Sequence, residues 1–100
     1  MLNLEEKQEE SQLTIVLDGR IDTSTAPLLQ AAVDPLPPAV NHVVLDFAKV
    51  DYISSAGLRV LLNLEQNLEE TDGKLELSHV SDLIRDVFDI TGFLDILTLI

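Results

Sequence analysis

The sequence predicts a single α/β domain, with a mixed β-sheet that opens on an antiparallel hairpin, continues through βα crossovers and carries its helices packed against it. Three observations predict it. Apolar residues alternate with polar ones at Leu2 and Leu4, and again at Leu13, Ile15 and Leu17, which is the period of a strand with one buried face. Later segments repeat apolar residues at helical spacing and are separated from one another by strand-like runs. One of those runs, His42-Val43-Val44-Leu45-Asp46-Phe47, is nearly continuous in apolar and β-branched residues, as expected of a central strand buried on both faces. The order of elements is β-β-α-β-α-β-α-β, and such an order implies a mixed sheet.

Each element has its own local signal. Leu2 and Leu4 mark a short first strand, and the wholly polar Lys7 to Ser11 reads as the turn after it. The short link to Leu13–Leu17 favours an antiparallel pair, with Gly19 at a bulge or bend. Asp22-Thr23-Ser24-Thr25 is rich in capping side chains, and Leu28, Leu29, Ala32 and Val33 continue from it at helical spacing. That helix is expected to end near Asp34, because Pro35, Pro37 and Pro38 cannot continue it. After the strand at 42–47 come Val50-Asp51-Tyr52-Ile53-Ser54-Ser55-Ala56-Gly57-Leu58 and a helix from Ser55 or Ala56 to about Glu70. Its apolar arc includes Leu58, Leu61, Leu62, Leu64 and Leu68, with Glu65 at the rim. Leu75 and Leu77 give another short strand. Ser81 can cap a helix carrying Leu83, Ile84, Val87 and Phe88, closed by Gly92 in the position after its end. Ile96 to Ile100 reads as a last strand.

Composition narrows the function. A chain of 100 residues fits one domain and can bury roughly 60–70% of its unfolded surface without staples. It has no cysteine, so disulfides, thiolate nucleophiles and cysteine metal sites are excluded. The formal net charge is −12, from 18 acidic and 6 basic residues. Nucleic-acid backbones and anionic membranes repel such a surface, so neither is an expected partner, whereas a protein with a basic face is favoured. The N-terminus has no signal pattern and no apolar run approaches the ~20 residues that span a bilayer, so a cytoplasmic protein is expected.

Enzyme chemistry finds little support. His42 and His79 each sit at an expected strand end and read as surface or structural histidines, and no metal site or cofactor is expected. A triad of Ser55, His79 and an aspartate can be drawn only on paper, since the G-x-S-x-G elbow is missing. There is no glycine-rich phosphate loop. No catalytic residue is expected.

The serine pair carries two readings. Ser54 or Ser55 is placed to cap the helix, and loss of such a cap costs about 1 kcal/mol. The same geometry presents a hydroxyl at a helix N-terminus, where a phosphate is electrostatically welcome. Gly57 has no side chain and would let a partner's backbone or a nucleotide phosphate approach closely. Asp51 is near in sequence, and Asp22 also stands where a strand meets a helix. Phosphorylation there would add about −1.5 to −2 charges and spoil a neutral interface.

The stretch Val50-Asp51-Tyr52-Ile53-Ser54-Ser55-Ala56-Gly57-Leu58-Arg59-Val60-Leu61-Leu62 resembles the signature of the STAS domain in bacterial anti-sigma factor antagonists. Leu17 to Asp22, Val43 to Asp46 and Phe88 to Phe93 resemble three further family segments in the same order. The resemblance spans nearly the whole chain and implies one STAS domain over residues 1–100. It also implies a role. The unphosphorylated protein would bind an anti-sigma factor that is a serine kinase of the ATP-binding, histidine-kinase-like fold, and so free the sigma factor. Phosphorylation would switch it off, and a metal-dependent PP2C-type phosphatase would restore it. Anchored on Gly57-Leu58, the acceptor corresponds to Ser55, with Ser54 a minor alternative. Asp22, Ser54, Ser55, Ala56, Gly57, Leu58 and Arg59 are the implied partner-binding residues.

The sequence departs from the family pattern in two places. Ser54 replaces an aspartate, and Ala56 replaces a second hydroxyl residue. Family members usually continue into a last helix, and this chain ends at Ile100 on the strand pattern, so a short or truncated form with an exposed apolar edge is expected. The alternative role is a constitutive STAS docking module in a signalling or transport complex, with Ser55 as a cap. A small hydrolase using Ser55 is the third.

Overall fold

The computed structural model describes all of residues 1–100. Strands β1 (Leu2–Glu9) and β2 (Gln12–Ile21) form the antiparallel hairpin. The expected turn at Lys7 to Ser11 shrinks to Glu10-Ser11, with Glu10 at φ 56°. Lys7, Gln8 and Glu9 instead pair with Thr14, Leu13 and Gln12. The cause is the position of β1 at the sheet edge. Beyond Leu4 its side chains face solvent, so polarity does not oppose the ladder, and charge there discourages a second chain from adding to the edge.

Strand β3 (His42–Ile53) pairs parallel with β2, β4 (Lys74–Ser78) pairs parallel with β3, and β5 (Thr98–Leu99) pairs parallel with β4. The sheet order is β1-β2-β3-β4-β5. Crossovers that always step the same way put their helices on the same face, given their fixed right hand. Burial agrees. Leu13, Ile15 and Leu17 of β2, Val43, Leu45 and Phe47 of β3, and Leu75 and Leu77 of β4 are all buried, whereas their alternates Thr14, Val16, Val44, Asp46 and Glu76 are only half-buried. The strand at 42–47 is therefore central as expected, but buried on one face. On its other face His42 pairs with Glu76, and His79 lies 3.2 Å from Asp46.

β3 also runs six residues further than expected, to Ile53, because its period changes. Its buried residues are Val43, Leu45, Phe47, Val50 and Ile53. The register explains the two three-residue steps. Val16 faces Asp46 and Asp18 faces Lys49, so β3 holds one extra residue there. Gly19 faces Val50 and Arg20 faces Tyr52, so it holds another. Each is a bulge. Gly19 itself, at φ 130°, takes a conformation that side chains avoid, and an added Cβ would stand 2.0 Å from the Met1 carbonyl oxygen.

Three helices cover the buried face. α1 (Ala26–Val33) buries Ala26, Leu29 and Val33, leaves Leu28 exposed, and stops at Asp34 before the prolines, as expected. α2 (Ser55–Glu70) buries Leu58, Val60, Leu61, Leu64 and Leu68, with Glu65 at the rim. Partial burial, followed by the neighbouring Glu69 charge, raises the Glu65 pKa above the usual carboxylate value. α3 (Asp82–Thr91) is capped by Ser81, whose hydroxyl accepts the Ile84 N–H at 3.2 Å, and is closed by Gly92 at φ 82°. Its buried residues are Ile84 and Phe88, and the Phe88 ring meets Phe47 edge-on with centroids 6.3 Å apart. Leu83, expected on the inner face, is exposed, because a helix of this length touches the sheet along a narrow stripe. The expected last strand at 96–100 shortens to β5, after one 3₁₀ turn at Phe93–Asp95. The buried apolar side chains form one core cluster. No helix is long and apolar enough to cross a membrane.

Candidate functional site

The parallel register places the site. Ile21 and Ile53 face each other at the ends of β2 and β3, and the Ser54 N–H donates to the Ile21 carbonyl at 2.8 Å. Asp22 and Ser54 therefore leave the carboxyl edge of the sheet side by side, where parallel α/β sheets usually place their sites. The nearness of Asp22 to the serine pair, open in the sequence, follows from this pairing.

The two serines separate into two roles. Ser54 is the N-cap. Its hydroxyl accepts the Gly57 N–H at 3.4 Å, and its carbonyl accepts the Leu58 N–H at 3.0 Å. Ser55 is the first helical residue. It is exposed, and its hydroxyl takes part in no hydrogen bond within the chain. Capping thus accounts for Ser54 and leaves Ser55 unexplained by structure. Neither histidine reaches it, since His42 is engaged with Glu76 and His79 with Asp46. A drawn Ser-His-Asp triad does not assemble.

Asp22 is fixed by its own loop. One carboxylate oxygen accepts the Ser24 hydroxyl at 2.8 Å and the Ser24 and Thr25 N–H groups at 3.0 Å each. The Ser24 hydroxyl first, then the Thr25 N–H, holds its pKa below the usual value. Sequence reasoning missed Thr25, the buried polar residue of the site. Its hydroxyl accepts the Asp22 N–H at 2.8 Å and donates to the Arg20 carbonyl at 2.7 Å, so it clamps the turn between β2 and α1. The Asp-x-x-Thr spacing was the available signal, because both side chains favour local turns of this kind.

The remaining residues divide between surface and interior. Gly57 is buried, and an added Cβ would lie 2.6 Å from Ile21 Cγ2 and 2.8 Å from Ile53 Cγ1. Its missing side chain faces the sheet and lets the first turn of α2 settle onto it, rather than opening a path for a visitor from outside. Leu58 is mostly buried too, with an edge left at the surface. Arg59 is exposed and forms no ion pair. It stands between two shallow depressions. One, of about 270 Å³, is lined by Thr23, Pro27, Ala56 and Val60 among others. The other, of about 260 Å³, is lined by Ser55, Leu58, Arg59, Leu62, Thr91 and Phe93. Below the site, the Arg20 guanidinium stacks 4.2 Å from the centre of the Tyr52 ring. The arrangement is an open, gently apolar surface around a free hydroxyl and a free cation. It suits docking to a protein better than enclosing a small substrate.

Comparison with known proteins follows the same lines. The family model described as "Mlab, STAS domain" matches residues 4–99. BtrV of Bordetella bronchiseptica, which carries the name of an anti-sigma factor antagonist, is 38% identical over 88 residues, covering 87% of this chain and 76% of that protein. The anti-sigma-B factor antagonist of Bacillus subtilis is 30% identical over 96 residues, covering 96% and 88%. In structure, the phosphorylated form of the Bacillus cell fate determinant SpoIIAA superposes with a TM-score of 0.76 at 22% identity, covering 100% of this chain and 91% of that one, which shows a shared fold.

Proposed function

This chain belongs to the STAS domain family, and we propose that it acts there as an anti-sigma factor antagonist whose hold on its partner is switched at Ser55. The unphosphorylated protein binds an anti-sigma factor that is also a serine kinase with an ATP-binding, histidine-kinase-like fold, and the sigma factor is released. The kinase transfers the γ-phosphoryl group of ATP to Ser55 Oγ, ADP leaves, and the hydroxyl proton is lost to a base. The added charge ends the contact. A PP2C-type phosphatase hydrolyses the phosphate and restores the free hydroxyl. The chain is a substrate and a switch with no catalysis of its own, working in the cytoplasm.

One observation carries the reading. Ser55 is exposed and unbonded at the first position of α2, while the neighbouring Ser54 oxygen is occupied in capping. That division favours Ser55 over Ser54 as acceptor. Asp22, Ser54, Ser55, Ala56 and Arg59 form the docking surface, with the outer edge of Leu58 beside them. Gly57 contributes from beneath, by holding the helix start close to the sheet. The names of the relatives support the partner class, and the SpoIIAA fold is one that exists in a phosphorylated form.

Intact-mass spectrometry after incubation with the cognate kinase and Mg-ATP tests it. One added phosphate, mapped to Ser55 and absent from Ser55→Ala, is the expected result. Ser55→Ala should still bind the kinase, and Ser55→Asp should bind poorly. A kinase that binds the protein and adds nothing would turn the reading into a constitutive docking module.

A further inference from the structure

We infer that a phosphate on Ser55 is captured by Arg59 of the same helix, so that the switch removes the docking surface's one free cation as well as adding negative charge. The inference rests on the switch at Ser55 proposed above and supplies its mechanism.

The two residues are four apart on α2, which places their Cβ atoms about 5–6 Å apart on one face. Both line the same shallow depression. The other residues of that depression, Leu58, Leu62, Thr91 and Phe93, are uncharged, and Arg59 is the only charged residue lining the neighbouring one as well. No carboxylate competes for Arg59 through an ion pair, and the first turn of α2 contains no acidic residue. The charge order is the favourable one, with the anion nearer the helix N-terminus and the cation one turn later. The acids nearest Ser55 in sequence and register are Asp51, on β3, and Asp22, whose carboxylate oxygen is already held by Ser24 and Thr25. A guanidinium can meet two phosphate oxygens at once, which fits Arg59 better than a lysine would.

The consequence for recognition is specific. Without phosphate, this surface offers a cation between two apolar depressions on a chain of net charge −12. It fits a partner segment with a carboxylate flanked by apolar side chains. With phosphate, Arg59 is turned inward onto Ser55, and the Ser55–Arg59 pair changes from +1 to about −0.5 to −1. The partner's carboxylate then loses its counterion and meets an excess of negative charge.

Phosphorus NMR tests the pair without any partner. Phosphoserine is placed at position 55 by stop-codon suppression, so no kinase is required, and its second ionisation is titrated in the native background, in Arg59→Gln and in Arg59→Lys. Capture by Arg59 lowers the second phosphate pKa, because it favours the dianion. The native protein should titrate a few tenths of a pH unit below Arg59→Gln. Arg59→Lys should keep only part of the shift, because it retains the charge and loses the two-oxygen contact, and high salt should erode what remains. Coincident titrations of the native and Arg59→Gln phosphoproteins would overturn the capture. Failure of the kinase to label Ser55 would sink the proposed switch and leave this titration readable, so the two failures are distinct.

Discussion

Gly57→Ala separates close packing from helix propensity. Alanine is the better helix former by about 1 kcal/mol, so propensity alone predicts a stabilised protein. The structure predicts the reverse. The new Cβ would stand 2.6 Å from Ile21 Cγ2 and 2.8 Å from Ile53 Cγ1, and both are branch atoms close to their own backbone. Neither can swing away as the tip of a long side chain would. Overpacking of a well-filled core costs about 1–3 kcal/mol, and two simultaneous contacts argue for the upper half of that range. The net expectation is a loss of about 1–2 kcal/mol, or a fall in Tm of about 5–15 °C for a domain of this size. Urea unfolding of Gly57→Ala measures it, with Asn63→Ala on the exposed face of α2 as the propensity control. If both variants gain stability equally, the helix start is not pressed onto Ile21 and Ile53, and the account of Gly57 is wrong.

Other outcomes follow from the same site. Ser54→Ala should cost about 0.5–1 kcal/mol in urea unfolding, at the low end for a cap because its bond is long, whereas Ser55→Ala should stay within about 0.5 kcal/mol of the parent. Asp22 has a folded pKa below its ordinary 3.8, so its contribution is complete at neutral pH and declines as the pH falls from about 4 through the lowered value. Asp22→Asn should flatten that acid limb of a stability–pH curve. Glu65 has the opposite sign. Its pKa is raised from 4.5, so the folded state favours the protonated form and stability falls as the group ionises. Glu65→Gln should raise the urea midpoint at pH 7 and leave it unchanged at pH 3.

Much of this was legible in the sequence because local signals agreed with the tertiary arrangement. The prolines after Asp34, Ser81 with Gly92, and the leucine arc of α2 each fixed an element end or face. The misreadings have physical causes. Polarity in Lys7–Glu9 looked like a turn because the solvent end of an edge strand needs no apolar residues. Val44 looked inward because an apolar residue on an uncovered sheet face costs little and leaves the same pattern as burial. Leu83 misled in the same way. At the site, motif spacing pointed to Ser55 and Asp22. It could not say which serine caps, since that depends on the last hydrogen bond between β2 and β3. Nor could it show Gly57 turned inward, which depends on two isoleucines from different strands.

The two bulges of β3 have a consequence for how this segment can vary in length. β2 keeps strict alternation from Leu13 to Ile21, while β3 reaches its matching Ile53 with two more residues over the same span. Each extra residue is taken up where it stands, since Val50 beyond the first bulge still faces Gly19 and is buried, and Ile53 beyond the second still faces Ile21. Deleting the extra residue of either bulge would straighten the strand there and leave Ile53 opposite Ile21, with the start of α2 still beside Asp22. Deleting one residue from the regular ladder between Val43 and Asp46 would instead slip the pairing and turn the neighbouring side chains over. Chains built on this plan should therefore gain or lose residues in this segment one at a time at the bulges, and not within the regular ladder before them.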